Sequence, residues 1–236
     1  MAPISHLAKT ATMRQSVQPI TSSTKKRESN MTQVLLPLIL AVSMVSQMFP
    51  TGMPKQVMDT THRIEMRVTT SDEDGKTIVI GDVCSATSIG KHSLLTATHC
   101  DMGAASLRVD GVDTDITARI NDGNDHTIYT VKMTLNKVAG FSQTTLNVGD
   151  EVWLRGNPDG FNQLVRYGHY SGNIVEEGKT YEMFDIDGGH GDSGSAIFNK
   201  SGKIVAVTSI GFSDGSFGML GTFELKFTPA QLANVK

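Results

Sequence analysis

The sequence predicts an all-β protein, built as barrels or as a sandwich, and three observations predict it. Short runs rich in Val, Ile and Thr recur from about Thr61 onward, roughly a dozen in all, as small β domains require. Gly, Asn and Asp separate nearly all of these runs, and glycine alone supplies 23 residues. No long stretch there carries the apolar period of an amphipathic helix.

Composition sets the outer limits. With 39% apolar and 19% charged residues the chain has the make-up of a globular protein. A net charge of −3 argues against general affinity for nucleic acid or acidic membranes, so no nucleic-acid partner is expected. The 236 residues suffice for one large domain or two small ones.

Residues 1–30 are polar, rich in Ser, Thr and Lys, and without periodicity, which reads as a disordered leader. The basic cluster Lys25-Lys26-Arg27 then precedes an apolar run from Val34 to Phe49. Its strongest part, Val34 to Val45, has the length of a signal-peptide core and is short for a bilayer span. Pro37 argues against a buried helix, and Met31 is an alternative start. Residues 31–50 are therefore read as a signal peptide or a membrane anchor, with attachment to a membrane in the second case. Either way the remainder of the chain is exported.

Strands follow in order. Arg63 to Val68 alternates polar and apolar as a half-buried strand does, Asp72 to Gly75 is a turn, and Lys76 to Ile80 is the next strand. Further strands are expected at Cys84–Ile89, Ser93–Ala97, Ser106–Val109, Thr114–Ile120 and Thr127–Lys132. Beyond them come Glu151–Arg155, Leu164–Tyr170, Tyr181–Asp185, Ser195–Phe198, Ile204–Ser209 and Gly221–Glu224. A short helix, Pro229 to Val235, closes the chain, with Thr228 as N-cap and proline at the first helical position.

Chemistry concentrates at three places. Gly191-Asp192-Ser193-Gly194 lies in a glycine-dense loop before an apolar strand, a turn able to point successive N–H groups into one concavity beside a serine. His99 stands at the tip of the apolar strand that starts at Leu94, where it can serve as the base that a serine nucleophile needs. Asp125 opens the strand His126 to Val131 and is the best carboxylate to orient that imidazole, ahead of Asp122, which reads as a turn residue. All seven histidines precede Ser193, which excludes a hydrolase order with histidine last. A subtilisin order would need an aspartate such as Asp82 before His99, and the β pattern opposes it. What remains is His, Asp, Ser. The two cysteines, Cys84 and Cys100, are by themselves readable as inert buried thiols or as one disulfide.

Taken together these motifs resemble the chymotrypsin/trypsin-like serine protease family, in its compact bacterial or viral form. Thr96 to Cys100 is similar to the family's histidine box, Asp125 to Tyr129 to its aspartate strand, and Gly191 to Gly194 to its nucleophile loop. The likeness runs from about Ile64 to Phe227. It implies two packed antiparallel β-barrels, one about 60–138 and one about 146–228, within a protease domain of residues 60–236. It implies a His99–Asp125–Ser193 triad, an oxyanion hole from the amides of Gly191 and Ser193, and a disulfide between Cys84 and Cys100. Ser209 and Gly211 fall on the strand that receives substrate. Asp187 falls at the base of the specificity pocket, where a buried carboxylate would favour Arg or Lys.

The sequence also departs from the family. Only 26 positions separate His99 from Asp125, and no Ile-Val-Gly-Gly activation motif is present. In the family Asp192 often receives a new N-terminus after zymogen cleavage. Here either the enzyme is active as made or Asp192 is satisfied another way. The expected protein is a monomeric serine endopeptidase acting on protein or peptide, with no metal and no cofactor. The alternatives are a non-catalytic binding module on the same fold and a self-processing protease of viral type.

Overall fold

The alternation first visible at Arg63–Val68 continues into a long antiparallel hairpin. In the computed structural model, which describes residues 52–71, 74, 76–213 and 218–235, strand β1 (Thr61–Ser71) pairs with β2 (Thr77–Gly90) along its whole length. The leader expected over 1–30 and the signal or anchor over 31–50 lie outside the described residues. The two runs read separately at Lys76–Ile80 and Cys84–Ile89 form one strand. Gly81 and Asp82 pass through the ladder opposite Arg67 and Met66 and do not break it.

Strands β3 (Ser93–Ala97), β4 (Ser106–Val109), β5 (Val112–Asn121) and β6 (His126–Val131) complete a closed barrel in the order β1-β2-β3-β6-β5-β4. Closure leaves no edge strand, so every barrel strand has two partners. Ile64, Met66, Ala86, Leu94, Leu107, Val109 and Tyr129 fill its interior. Burying each such side chain contributes about 1.5–3 kcal/mol.

The second half is a seven-stranded antiparallel sheet. It comprises β7 (Glu151–Gly156), β8 (Leu164–Glu176), β9 (Lys179–Phe184), β10 (Ala196–Asn199), β11 (Ile204–Val207), β12 (Ile210–Ser213) and β13 (Gly218–Thr222), ordered β11-β10-β7-β8-β9-β13-β12. Its two edge strands, β11 and β12, are consecutive in the chain and joined by only Thr208 and Ser209, so the sheet must curl round until its edges meet. Val152, Leu154, Phe184, Ile186, Ile197 and Leu220 form its core. A third cluster unites the halves: Leu95 and Ile128 of the barrel pack with Trp153, Ala196, Phe198, Ile204 and Val207 of the sheet. Strand β3 is buried at all five positions because Leu94 faces one core and Leu95 the other.

Two short helices frame the fold. Helix α1 (Lys55–Thr60), which the sequence pattern did not indicate, is closed by the hydroxyls of Thr60 and Thr61 donating back to the carbonyls of Gln56 and Val57. Helix α2 (Pro229–Leu232) begins at the expected cap, where Thr228 and Gln231 form a reciprocal capping box. It is one turn long and stops short of Val235.

Candidate active site

Strands β3 and β6 run side by side with Ala97 opposite His126, so the residues just beyond their paired ends are delivered to the same rim. After Ala97 the chain makes a single 3₁₀ turn, Thr98–Cys100, that carries His99. The residue before β6 is Asp125. Its carbonyl accepts from Thr98 N–H at 2.9 Å, its Oδ1 from His99 N–H at 3.0 Å, and its Oδ2 bonds His99 Nδ1 at 2.7 Å. Cys84 of β2 forms a disulfide with Cys100, tying the turn to the barrel wall.

Electrostatics follow this geometry. The hydrogen bond that His99 donates to Asp125 raises the pKa of the imidazole above its ordinary 6.5, burial opposes it, and the charges of Asp125 and Asp82 add to the rise. Burial by itself would raise Asp125. The hydrogen bonds and charge of His99, with the Ser209 hydroxyl, outweigh that and hold the carboxyl below its usual range.

Ser193 lies between two glycines that no other residue can replace. Gly191 has φ +97°, and a Cβ there would collide with the Asn157 carbonyl. Gly194 has φ +83°, and a Cβ there would collide with the Ser85 carbonyl and the Thr96 hydroxyl. The carbonyl of His190 accepts from Asp159 N–H at 2.6 Å, and that of Asp192 from Ser195 N–H at 2.8 Å. In a trans peptide N–H points opposite to C=O, so the amides of Gly191 and Ser193 are turned the other way. Among the described residues neither amide has an acceptor. A carbonyl oxygen in the cleft would find two unoccupied donors.

His99, Ser193, Gly191, Asp187, Ser209 and Gly211 line one cleft of about 440 Å³. No hydrogen bond joins His99 to the Ser193 hydroxyl among the described residues, as is common before substrate is bound. A slightly larger hollow of about 550 Å³ is also lined by Asp125, together with Lys179, Glu224 and Lys226, and reaches neither His99 nor Ser193. Asp187 is exposed in the cleft, not buried, and its carboxylate stands where a side chain at Gly218 would be.

Comparison with known proteins agrees with this arrangement. Residues 84–207 match the model of the trypsin-like peptidase domain, from the first cysteine past the serine loop to the end of β11. The chain belongs to the trypsin-like peptidase domain family. By enzymatic class it is a serine endopeptidase. Among solved structures it is similar to the HtrA-type protease AlgW with decapeptide, with TM-score 0.58 and 17% identity over 71% of this chain. The chain spans 62% of that protein's length. It is also similar to the active form of the Rv3671c protease from M. tuberculosis, with TM-score 0.60 and 15% identity over 94% of both chains. At these identities the likeness is one of fold. No curated protein matches the sequence at a significant level.

In this trypsin-like peptidase the requirement of Asp192 is met from within the domain. Asp192 is 1% exposed, and both its carboxylate oxygens are held by the Arg166 guanidinium from β8. Gly189 N–H donates to the same carboxylate at 2.8 Å. Gly156 lets the pair approach, since a Cβ there would collide with Asp192.

Several site residues carry no motif in the sequence. Ser85, fully buried, donates its N–H to the Ser193 carbonyl at 2.8 Å and its hydroxyl to the Gly191 carbonyl at 2.8 Å. Asn157 donates in turn to Ser85 Oγ at 2.7 Å. Arg166 reads as an outward polar residue of an alternating strand, and Ser85 as one of three small polar residues in the run Cys84–Ile89. The only available signal was that each is a polar group at a position the pattern assigns to a core or a half-buried face.

Proposed function

We propose that the protein hydrolyses peptide bonds through an acyl-enzyme, with Ser193 as nucleophile, His99 as general base and Asp125 as its orienting carboxylate. The observation that carries this reading is the His99–Asp125 bond placed on the same cleft as Ser193 and the two unoccupied amides of Gly191 and Ser193. Ser193 attacks the scissile carbonyl as His99 takes its proton. The carbonyl oxygen, now an oxyanion, is held by the Gly191 and Ser193 amides. The imidazolium gives its proton to the leaving amine, and water then repeats the sequence to release the acid.

The substrate is an extended peptide lying along Ser209–Gly211, and the residue before the cut is Arg or Lys, paired with Asp187. The AlgW structure contains a decapeptide, which supports a peptide as ligand for this cleft too. The bidentate Arg166–Asp192 pair supports an enzyme whose serine loop needs no inserted N-terminus. The Cys84–Cys100 disulfide supports folding in an oxidising compartment, with the protease domain exported.

Labelling decides the central point. The full chain is treated with a fluorophosphonate probe and the adduct mapped by mass spectrometry, beside Ser193→Ala and His99→Ala variants. An adduct on Ser193 that requires His99 is expected. A folded, disulfide-bonded protein that takes no label would leave a non-catalytic module on this fold.

A further inference from the structure

The loop that presents Asp125 contains a second aspartate–histidine pair, and this one is sealed. Asp122 reads from sequence as a turn residue, yet its side chain and that of His126 are both 0% exposed. The Asp122 carboxylate is surrounded by donors. Oδ1 accepts from Asn124 N–H at 2.8 Å and His126 N–H at 3.3 Å. Oδ2 takes His126 Nδ1 at 2.7 Å and Lys226 N–H at 2.9 Å.

The last of these bonds reaches out of the barrel. Lys226 belongs to the segment that follows β13, the last strand of the second sheet in chain order. A second bond makes the same crossing, from Asn124 Nδ2 to the Glu224 carbonyl at 2.7 Å. Among the described residues His126 Nε2 is buried with no partner, and its ring packs at 6.5 Å from that of Phe227 in the same segment. Among the described residues, Glu182 of β9 is the charged side chain close enough to His126 for the two to interact, while Lys226 meets the cluster through its backbone N–H.

A buried carboxylate holding an imidazole with an unpartnered nitrogen is an expensive way to make a turn. Its distinctive product is the fixed distance between the loop Asn121–Asp125 and the segment Glu224–Lys226. We propose that Asp122 is a positioning residue for the reaction, riveting the Asp125 loop to the Glu224–Lys226 segment so that Asp125 meets His99 only when both halves of the fold are in place. The inference rests on the reading of Asp125 as the carboxylate partner of the catalytic histidine.

Asp122→Asn keeps the shape of the side chain and turns one acceptor into a donor facing other donors. Asn124→Ala removes the second crossing bond alone, from a half-buried position. Both are made in the full chain and compared with wild type and Asp125→Asn, reading kcat and KM on a peptide substrate across pH and the low-field proton signal of the His99–Asp125 bond. A displacement of about 1 Å costs up to about 100-fold in rate, so kcat of Asp122→Asn falls by roughly 10-fold to 100-fold while KM stays within roughly threefold. The acidic limb of the rate profile, set by His99, moves to lower pH because a displaced Asp125 raises that imidazole less, and the low-field signal shifts or disappears. Asn124→Ala shows the same changes in smaller measure, and it decides the matter alone if Asp122→Asn does not fold. A folded variant with the wild-type limb and signal overturns the rivet. If Asp125→Asn is inactive in that case, the triad stands without it. Full activity in Asp125→Asn removes the triad reading and the rivet together.

Discussion

The guanidinium of Arg166 grips both carboxylate oxygens of Asp192, the residue immediately before the serine of the glycine loop. This pair fixes one end of the peptide whose N–H belongs to Ser193. The Asp159 bond to the His190 carbonyl fixes the peptide whose N–H belongs to Gly191. Two separate restraints therefore hold the amides of Gly191 and Ser193, the donors proposed for the oxyanion, in their orientation before any substrate arrives.

Arg166→Ala is expected to lose both stability and activity. Asp192 would be left buried and uncompensated, a change that costs about 3–5 kcal/mol in comparable buried pairs. Loss of an aimed oxyanion donor lowers kcat by about 100-fold to 1,000-fold. Chemical denaturation measures the first effect and steady-state kinetics the second. Because the Arg166 side chain is 20% exposed, added guanidinium can reach the vacated space and should restore part of the activity. Unchanged kcat in a folded Arg166→Ala enzyme would remove Arg166 from the account.

The rate profile should carry the signature of the raised His99. The imidazole must be neutral to take the serine proton, so activity is lost as pH falls through its pKa. The Asp125 hydrogen bond places that pKa above 6.5, and the charge of Asp82 contributes in the same direction. The acidic limb of kcat/KM is therefore expected above the ordinary imidazole value. Asp82→Asn should shift it downward without abolishing turnover, since Asp82 lines the cleft and, among the described residues, accepts from the N–H of Val83 and not from His99. A limb that does not move between the two proteins would show that the cleft's solvent screens Asp82 completely.

Much of this was legible in the sequence because barrels impose a strict local grammar. Ser93–Ala97 and Ser106–Val109 begin and end where their patterns begin and end, since turns with Gly, Asp or Lys bound them. Strand β12 escaped notice for the opposite reason. The expected strand Ile204–Ser209 runs straight through Thr208 and Ser209, yet at Thr208 the chain leaves its partner β10, bonding Ser195, and at Ser209 it bonds Gly221 of β13. That change of partner is a tertiary event with no glycine or proline to mark it. Arg166 and Asp122 were hidden similarly. A charged residue looks the same in sequence whether its partner is water or a carboxylate from a loop 26 positions away.

Substrate preference depends on Asp187. Asp187 stands beside Gly218 and is, with Asp82, one of two acidic residues that line the cleft. A panel of fluorogenic peptides varied at the residue before the cut should show Arg and Lys favoured. Asp187→Ser should reduce kcat/KM on those substrates by about 10-fold to 150-fold, the worth of hydrogen bonds to a charged group, and leave neutral substrates nearly untouched. An equal loss on all substrates would assign Asp187 to the scaffold of the loop.

The disulfide should matter to stability and to catalysis by separate routes. It closes a loop of 16 positions, which in the chain-entropy account stabilises the fold by about 3 kcal/mol. For a domain of this size that corresponds to a fall in Tm of roughly 6–12 °C on removal. Cys100 also follows His99 directly, and its sulfur lies 3.7 Å from the Ser193 carbonyl oxygen, so the bridge sits against the backbone of both the proposed base and the proposed nucleophile. Cys84→Ala with Cys100→Ala, melted beside the wild type with and without reductant, tests the first route. Activity measured well below both melting temperatures tests the second, with a loss expected even where the variant is fully folded. If the variant melts lower but retains full kcat, the bridge serves stability alone and the 3₁₀ turn holds His99 through Asp125 without it.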